Sequence, residues 1–144
     1  MEPRELNPKE STRPFRVPRA KALLVYEDPT DLQFYCEMLE GYGYVVQTCN
    51  SYPEGVRRLA DEAFDFVMVS QGTPKFEGRC VLKRAAEINR SLPVLVVARC
   101  VDMDSYLEAM QLGAVDYLVE PLTHLDIGRV LKDHRPIRSM AASG

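Results

Sequence analysis

The chain has no tryptophan, two histidines and four cysteines among its 144 residues, and each scarcity removes a class of function. His124 and His134 alone cannot furnish a histidine-rich metal centre. Cysteines 36, 49, 80 and 100 lie 13, 31 and 20 positions apart with no C-x-x-C, a pattern of incidental thiols in a reducing compartment rather than a disulfide framework. Cys100, which follows Arg99, could alternatively be a redox-reactive thiol beside a cation. No apolar run nears the roughly 18 residues of a membrane span. The start, MEPRELNPKE, has charges and no apolar stretch, so no secretory signal is expected. These absences predict a soluble, cytoplasmic chain with no membrane partner. Its length fits one domain, and 46% hydrophobic with 27% charged residues suits a globular core. No internal repeat and no low-complexity segment occurs.

The net charge of −3 is unevenly spread. Residues 1–21 carry six Lys/Arg against three Glu, residues 132–144 carry three against one acid, and the body between them stands at −8. We divide the chain into a basic N-terminal arm (1–20) holding Pro3, Pro8, Pro14 and Pro18, a folded body (21–133) and a C-terminal tail or linker (134–144). A basic arm can touch nucleic acid. With the prolines and without aromatic–basic interleaving beyond Phe15-Arg16, a solvated tail is the reading we adopt.

Within the body, short apolar runs alternate with helical patterns. The runs are Ala22–Tyr26, Val45–Thr48, Phe66–Val69, Val94–Val97 and Tyr117–Val119, most of them continuous as expected of parallel strands covered on both faces. Between them, apolar residues recur at helical spacing: Leu32, Tyr35, Cys36, Leu39; Val56, Leu59, Ala60, Ala63; Val81, Leu82, Ala85, Ile88; Tyr106, Ala109, Met110, Gly113; and Ile127, Val130, Leu131. Thr30, Pro53 and Asp102 mark helix starts, and Gly113 marks a helix end. Five β–α pairs in so short a body predict an α/β, doubly wound open sheet. Its site then lies at the carboxyl ends of the strands, at Tyr26-Glu27-Asp28, Ser70-Gln71, Ala98-Arg99 and Val119-Glu120.

Four stretches in this order carry a resemblance: LLVYEDPTDLQ, FDFVMVSQGTPKFEG, LPVLVVARC and EAMQLGAVDYLVEPL. Together they resemble the receiver domain of two-component response regulators, the CheY-like family, from Lys21 to about Asp133. The resemblance implies a flavodoxin-like (βα)5 fold with strand order 2-1-3-4-5. It also implies a site made of an acidic pair, a phosphoacceptor Asp, a Thr or Ser, and a Lys. Pro74 and Gly78 fall four and eight residues after Ser70, which places Ser70 at the acceptor position. Ala98 falls at the Thr/Ser position and Glu120 at the Lys position. Gly43 favours aligning Tyr26 and Glu27 with the acidic pair, with Asp28 third; pairing Glu27 with Asp28 instead costs one gap. The expected site is therefore degenerate. Pro121 and the aromatic Tyr117 match the family, and the resemblance implies a cis Glu120–Pro121 bond.

Other chemistry is open to the same residues. Ser70-Gln71-Gly72 is half of a G-x-S-x-G elbow, but residue 68 is Met and both histidines lie in or near the last helix, so no enzyme is expected. Glu27 and Asp28, with Glu120 nearby, are weak candidates for a divalent cation, and no cofactor is expected. The reading is a phosphorelay-type signalling module, independent of phosphorylation, that contacts a signalling protein, an output domain or a second copy of itself. A metal-binding or enzymatic domain on the same fold, or nucleic-acid contact through the basic termini, is the alternative. Two structural expectations follow. Glu120 should pair with Arg99 or Lys75, and Tyr117, fixed in one rotamer, should form an exposed patch with Tyr106, Met110 and Leu122.

Overall fold

A computed structural model describes residues 19–134. The N-terminal arm up to Pro18 and the tail from Arg135, on which the nucleic-acid alternative rests, lie outside the described residues.

Five strands, β1 (Lys21–Val25), β2 (Val45–Cys49), β3 (Phe66–Ser70), β4 (Val94–Ala98) and β5 (Asp116–Val119), alternate with five helices. The helices are α1 (Pro29–Gly41), α2 (Tyr52–Asp61), α3 (Arg79–Ile88), α4 (Met103–Gln111) and α5 (His124–Asp133). All four strand pairings are parallel, in the order β2-β1-β3-β4-β5, which is the expected topology. The three central strands are apolar on both faces because both faces are covered. Leu23, Leu24, Phe66, Val67, Met68, Leu95 and Val96 have no solvent exposure, each worth roughly 1.5–3 kcal/mol in burial.

Alternate residues divide the core into two clusters. On one face Leu24, Met68 and Val97 pack with Tyr35, Met38 and Leu39 of α1 and Ile127, Val130 and Leu131 of α5. On the other, Val25, Val69 and Val96 pack with Tyr52 and Leu59 of α2, Val81 and Leu82 of α3, and Ala109 of α4. No helix among the described residues is long and apolar enough to cross a membrane.

The helix boundaries follow side-chain chemistry. Asp28, not Thr30, caps α1, accepting from the Thr30 and Asp31 amides, and Pro29 takes the first turn, where no amide is needed. Ser51 and Asp102 cap α2 and α4, and Thr123 with Asp126 forms a capping box on α5. Gly113, at φ +100°, ends α4. Two stripes differ from expectation. Ala60, Ala63 and Ile88 are exposed, because α2 meets the sheet through Tyr52, Gly55 and Leu59 instead. A Cβ on Gly55 would lie 2.9 Å from Val25 Cγ2 and 3.3 Å from Val81 Cγ2, so glycine lets α2 sit close to both β1 and α3.

Candidate functional site

The carboxyl edge of the sheet gathers the residues singled out in the sequence, but divides them between two places. Tyr26, Glu27, Asp28 and Ser70 line one cleft of about 420 Å³ together with Gly72, Thr73 and Arg99. Ala98 is buried in the core under α2–α4, and Glu120 lies on the α1 side.

The β3–α3 loop shapes one wall of the cleft. Ser70 Oγ accepts from the Gly72 amide at 3.2 Å. The Thr73 amide donates to the Glu77 carboxylate at 2.7 Å and the Thr73 hydroxyl donates to it at 2.9 Å. Phe76 is held in the left-handed region at φ 59° with its ring fully buried, a conformation that costs about 1–3 kcal/mol in a non-glycine residue and persists where packing enforces it. Gly78 comes so close to the Ser70 carbonyl that no side chain fits between them. That is why α3 opens on a glycine with no side-chain cap.

Glu120 does not pair with Arg99 or Lys75. Its Oε2 accepts from the Tyr26 hydroxyl at 3.1 Å and from the Tyr35 hydroxyl at 3.2 Å, and no ion pair to Glu120 occurs among the described residues. Arg99 instead reaches α1, with Nη2 3.0 Å from Asp31 Oδ2 and 3.5 Å from Asp28 Oδ2. The two rings lie 5.1 Å apart, and both tyrosines are buried. Burial first, and then the Glu120 charge, hold the Tyr26 phenol far above its ordinary range; the same causes push Tyr35 up to about 12. Both phenols thus stay protonated and remain donors to the carboxylate. Asp28 is held below the usual carboxylate range, chiefly by the Asp31 and Thr30 amides and secondarily by Arg99.

These assignments decide the fit of a divalent cation, which the fold family implies. Asp28 is committed to the α1 cap and to Arg99, Ser70 is neutral, and Glu120 is occupied by two phenols. Among the described residues no group of three or more His, Cys, Asp or Glu side chains is placed to hold a metal ion. Glu27 is the remaining carboxylate of the cleft, and a single carboxylate beside a neutral serine does not supply the octahedral array of hard oxygen ligands that a magnesium site needs.

The expected surface patch is not formed. Tyr117 is 7% exposed and Leu122 is 5% exposed, and they belong to the two opposite cores. Strand alternation puts Tyr117 inward toward α4, whereas Leu122 lies beyond Pro121 under α5. The Glu120–Pro121 bond is cis, as expected. Tyr106 is half-buried and stacks edge-on against Tyr117 at 5.5 Å. On this side the exposed apolar residues lie further out: Val101 just before α4, Met103, Leu107 and Met110 along it, Val119 on β5 and Leu125 at the start of α5.

Two polar contacts at this edge carry no clear signal in the sequence. Tyr35 was read only as one member of an apolar stripe; a tyrosine in such a stripe carries a hydroxyl that needs a partner when buried. Gln71 was read only as part of the serine turn. It is buried, and its side-chain Oε1 accepts a short hydrogen bond from the Tyr117 hydroxyl.

A five-stranded parallel sheet in this order, with its polar residues at the carboxyl edge, defines a receiver-type signalling fold. The chain belongs to the response regulator receiver domain family, whose profile matches residues 22–132. It is similar to the transcriptional regulatory protein ZraR of Escherichia coli, with 29% identity over 100 residues that cover 69% of this chain and 23% of the relative. It is similar also to the alginate biosynthesis transcriptional regulatory protein AlgB of Pseudomonas aeruginosa, 31% identical over 72% of this chain and 23% of the relative. The chain therefore spans less than a quarter of the length of these curated relatives. A response regulator receiver domain protein from Clostridium thermocellum superposes with a TM-score of 0.75 at 27% identity, covering 85% of this chain and 98% of that one. A CheY-like receiver from Methanospirillum hungatei matches equally in shape, TM-score 0.75, at 20% identity over 85% and 98% of the two chains.

Proposed function

We propose that this receiver domain signals by protein–protein contact without aspartyl phosphorylation. The observation that carries the reading is the environment of Glu120. A carboxylate held by two phenols stands where the family resemblance calls for a cation to meet an incoming phosphoryl group. Ser70 ends β3 where the acceptor Asp belongs, and a serine hydroxyl without an adjacent base is a weak nucleophile. Ala98 has no hydroxyl to offer a phosphoryl oxygen. At about 4 Å and an effective dielectric near 20, one unit charge pair is worth roughly 4 kcal/mol, and a phosphoryl group carries about −1.5 to −2. With Glu120 in place of that cation, the attraction is lost and a like charge takes its place.

The partner we assign is a protein segment with an apolar face, from an output domain or another signalling protein in the cytoplasm. Met103, Leu107 and Met110 fall at i, i+4 and i+7 on α4, and Val101, Met103 and Leu107 are 68%, 64% and 51% exposed. Methionine side chains adapt to varied apolar partners, and grouped exposed apolar residues mark interaction surfaces.

Incubation of the full chain with a small-molecule phosphodonor and Mg²⁺, followed by intact mass spectrometry, tests the first part. The mass should stay unchanged, and Ser70→Asp alone should stay unlabelled because Glu120 and Ala98 still oppose the anion. Stoichiometric labelling of either protein rejects the reading.

A further inference from the structure

The buried polar groups under α4 carry an inference about how its exposed face is controlled; it rests on the reading of that face as the docking surface. Gln71 follows β3 directly and is 3% exposed. Its backbone amide donates to the Val97 carbonyl at 2.7 Å, and its carbonyl accepts from the Gly78 amide at 3.1 Å. Its side-chain Nε2 donates to the Thr73 carbonyl at 3.1 Å, which fixes the orientation of the side-chain amide. Oε1 is thereby aimed at β5, where it accepts from the Tyr117 hydroxyl. The same hydroxyl accepts from the backbone amide of Asp102 at 3.3 Å. Asp102 is the cap of α4: its Oδ2 accepts from the Ser105 amide at 2.9 Å, and its carbonyl accepts from the Tyr106 amide at 2.8 Å. A continuous path of hydrogen bonds thus runs from the end of β3, across the end of β4, to the amino end of α4.

A second tie holds the helix further along. Arg79 Nε and Nη2 donate to the two Glu108 oxygens at 2.5 and 2.8 Å, joining α3 to α4. This pair is half-exposed and positions more than it stabilises. The Gln71–Tyr117 pair is buried and its tie to the Asp102 amide is half-buried, so losing either side chain leaves a desolvated partner unpaired.

We propose that Gln71 is a built-in, permanent pin for α4: acting through Tyr117, it holds the amino end of the helix in one position, so that the apolar row is presented without a covalent trigger. Gln71 is a positioning residue; it touches no partner itself. Signalling through this face is then regulated by whatever breaks the pin or competes for the row, since a ligand shifts an equilibrium only by its differential affinity for two states.

Amide hydrogen exchange on the full chain, at neutral pH and without partner or phosphodonor, tests this. Gln71→Leu and Tyr117→Phe should each speed exchange of the Asp102 amide and the first turn of α4 by about tenfold, leaving the amides of β1 and β3 at their wild-type rates. The double variant should exchange no faster than either single one, because both break one path. Wild-type exchange in α4, an equal acceleration throughout the sheet, or additive effects in the double variant would overturn the pin. Tyr117→Phe keeps the ring in the core and so reads the hydroxyl even if Gln71→Leu fails to fold. The measurement involves neither partner nor phosphoryl group, so the docking reading and the pin can fail separately.

Discussion

The two faces of the sheet solve the same problem with different chemistry. Under α1 and α5, the carboxyl edge buries two phenols against a carboxylate, Tyr26 and Tyr35 against Glu120. Under α2–α4 it buries an uncharged path, Gln71 to Tyr117 to the Asp102 amide. The first face holds a negative charge with dipoles alone, and so it is sensitive to pH. The second path is made of neutral groups, and Tyr117 there is also held above its ordinary range, chiefly by burial, so its strength depends mainly on packing and geometry.

The sharpest way to break the comparison is to remove bulk from the uncharged face. Tyr117→Ala empties a buried ring site and should cost about 3–5 kcal/mol in urea unfolding. A thermal midpoint near wild type would mean that Tyr117 is not the core residue described above.

Tyr26→Phe should cost about 1.5–3 kcal/mol, the worth of a hydrogen bond to a charged group. The alkaline limb separates the faces more clearly. Tyr35 stands at about 12 in the folded chain, against an ordinary value near 10. Between these values the unfolded chain releases its proton first, so stability is intact below about pH 10 and declines as pH rises toward the folded value. Glu120→Gln should make that decline shallower by removing the charge, and should do so more than Gln71→Leu, which removes none. Equal slopes in the two variants would erase the distinction.

Glycines give the smallest effects. Gly55→Ala pushes a methyl against Val25 and Val81 in the α2 face and should cost about 1–2 kcal/mol, overpacking less the helix-propensity gain. On the α5 face, a Cβ at Gly128 meets the Tyr42 hydroxyl at 2.5 Å. That is the tip of an exposed side chain able to swing away, so Gly128→Ala should fall within about 0.5 kcal/mol of wild type, the gain in helix propensity offsetting the lost Tyr42 contact.

The fold was legible because its signals are local. Continuous apolar runs such as Val94–Val97 report burial on both faces, and Asp102 and Gly113 bracket α4 closely at its two ends. The Glu120 environment was not legible for a physical reason. Reading along the chain, a carboxylate suggests a cation, and Arg99 was the nearest one at the same edge. Its actual partners lie 94 and 85 positions away, and they are tyrosines: Tyr26 stands at an acidic-pair position and Tyr35 in an apolar stripe, and neither place suggests a donor to Glu120. Neutral donors carry no charge signature, and only the strand register brings them together. Gln71 escaped for the same reason. The α2 stripe differs for another reason: a glycine in mid-helix gives little apolar signal, yet Gly55 lies on the packed side of that helix.

β5 is the shortest strand and an edge strand, hydrogen-bonded only to β4. Such a strand ordinarily frays, because half of its backbone groups have no neighbour and few residues hold it. Here it is cross-laced. Tyr117 from within the strand and Glu120 just past its end reach over β4 to residues that follow β3 and β1, two strands with which β5 makes no ladder. Detaching β5 therefore means breaking polar ties to the middle of the molecule as well as the outer ladder. The weakest margin of the sheet is bound to its centre, and its opening should be an all-or-none event shared with the whole domain rather than a local breathing of its edge.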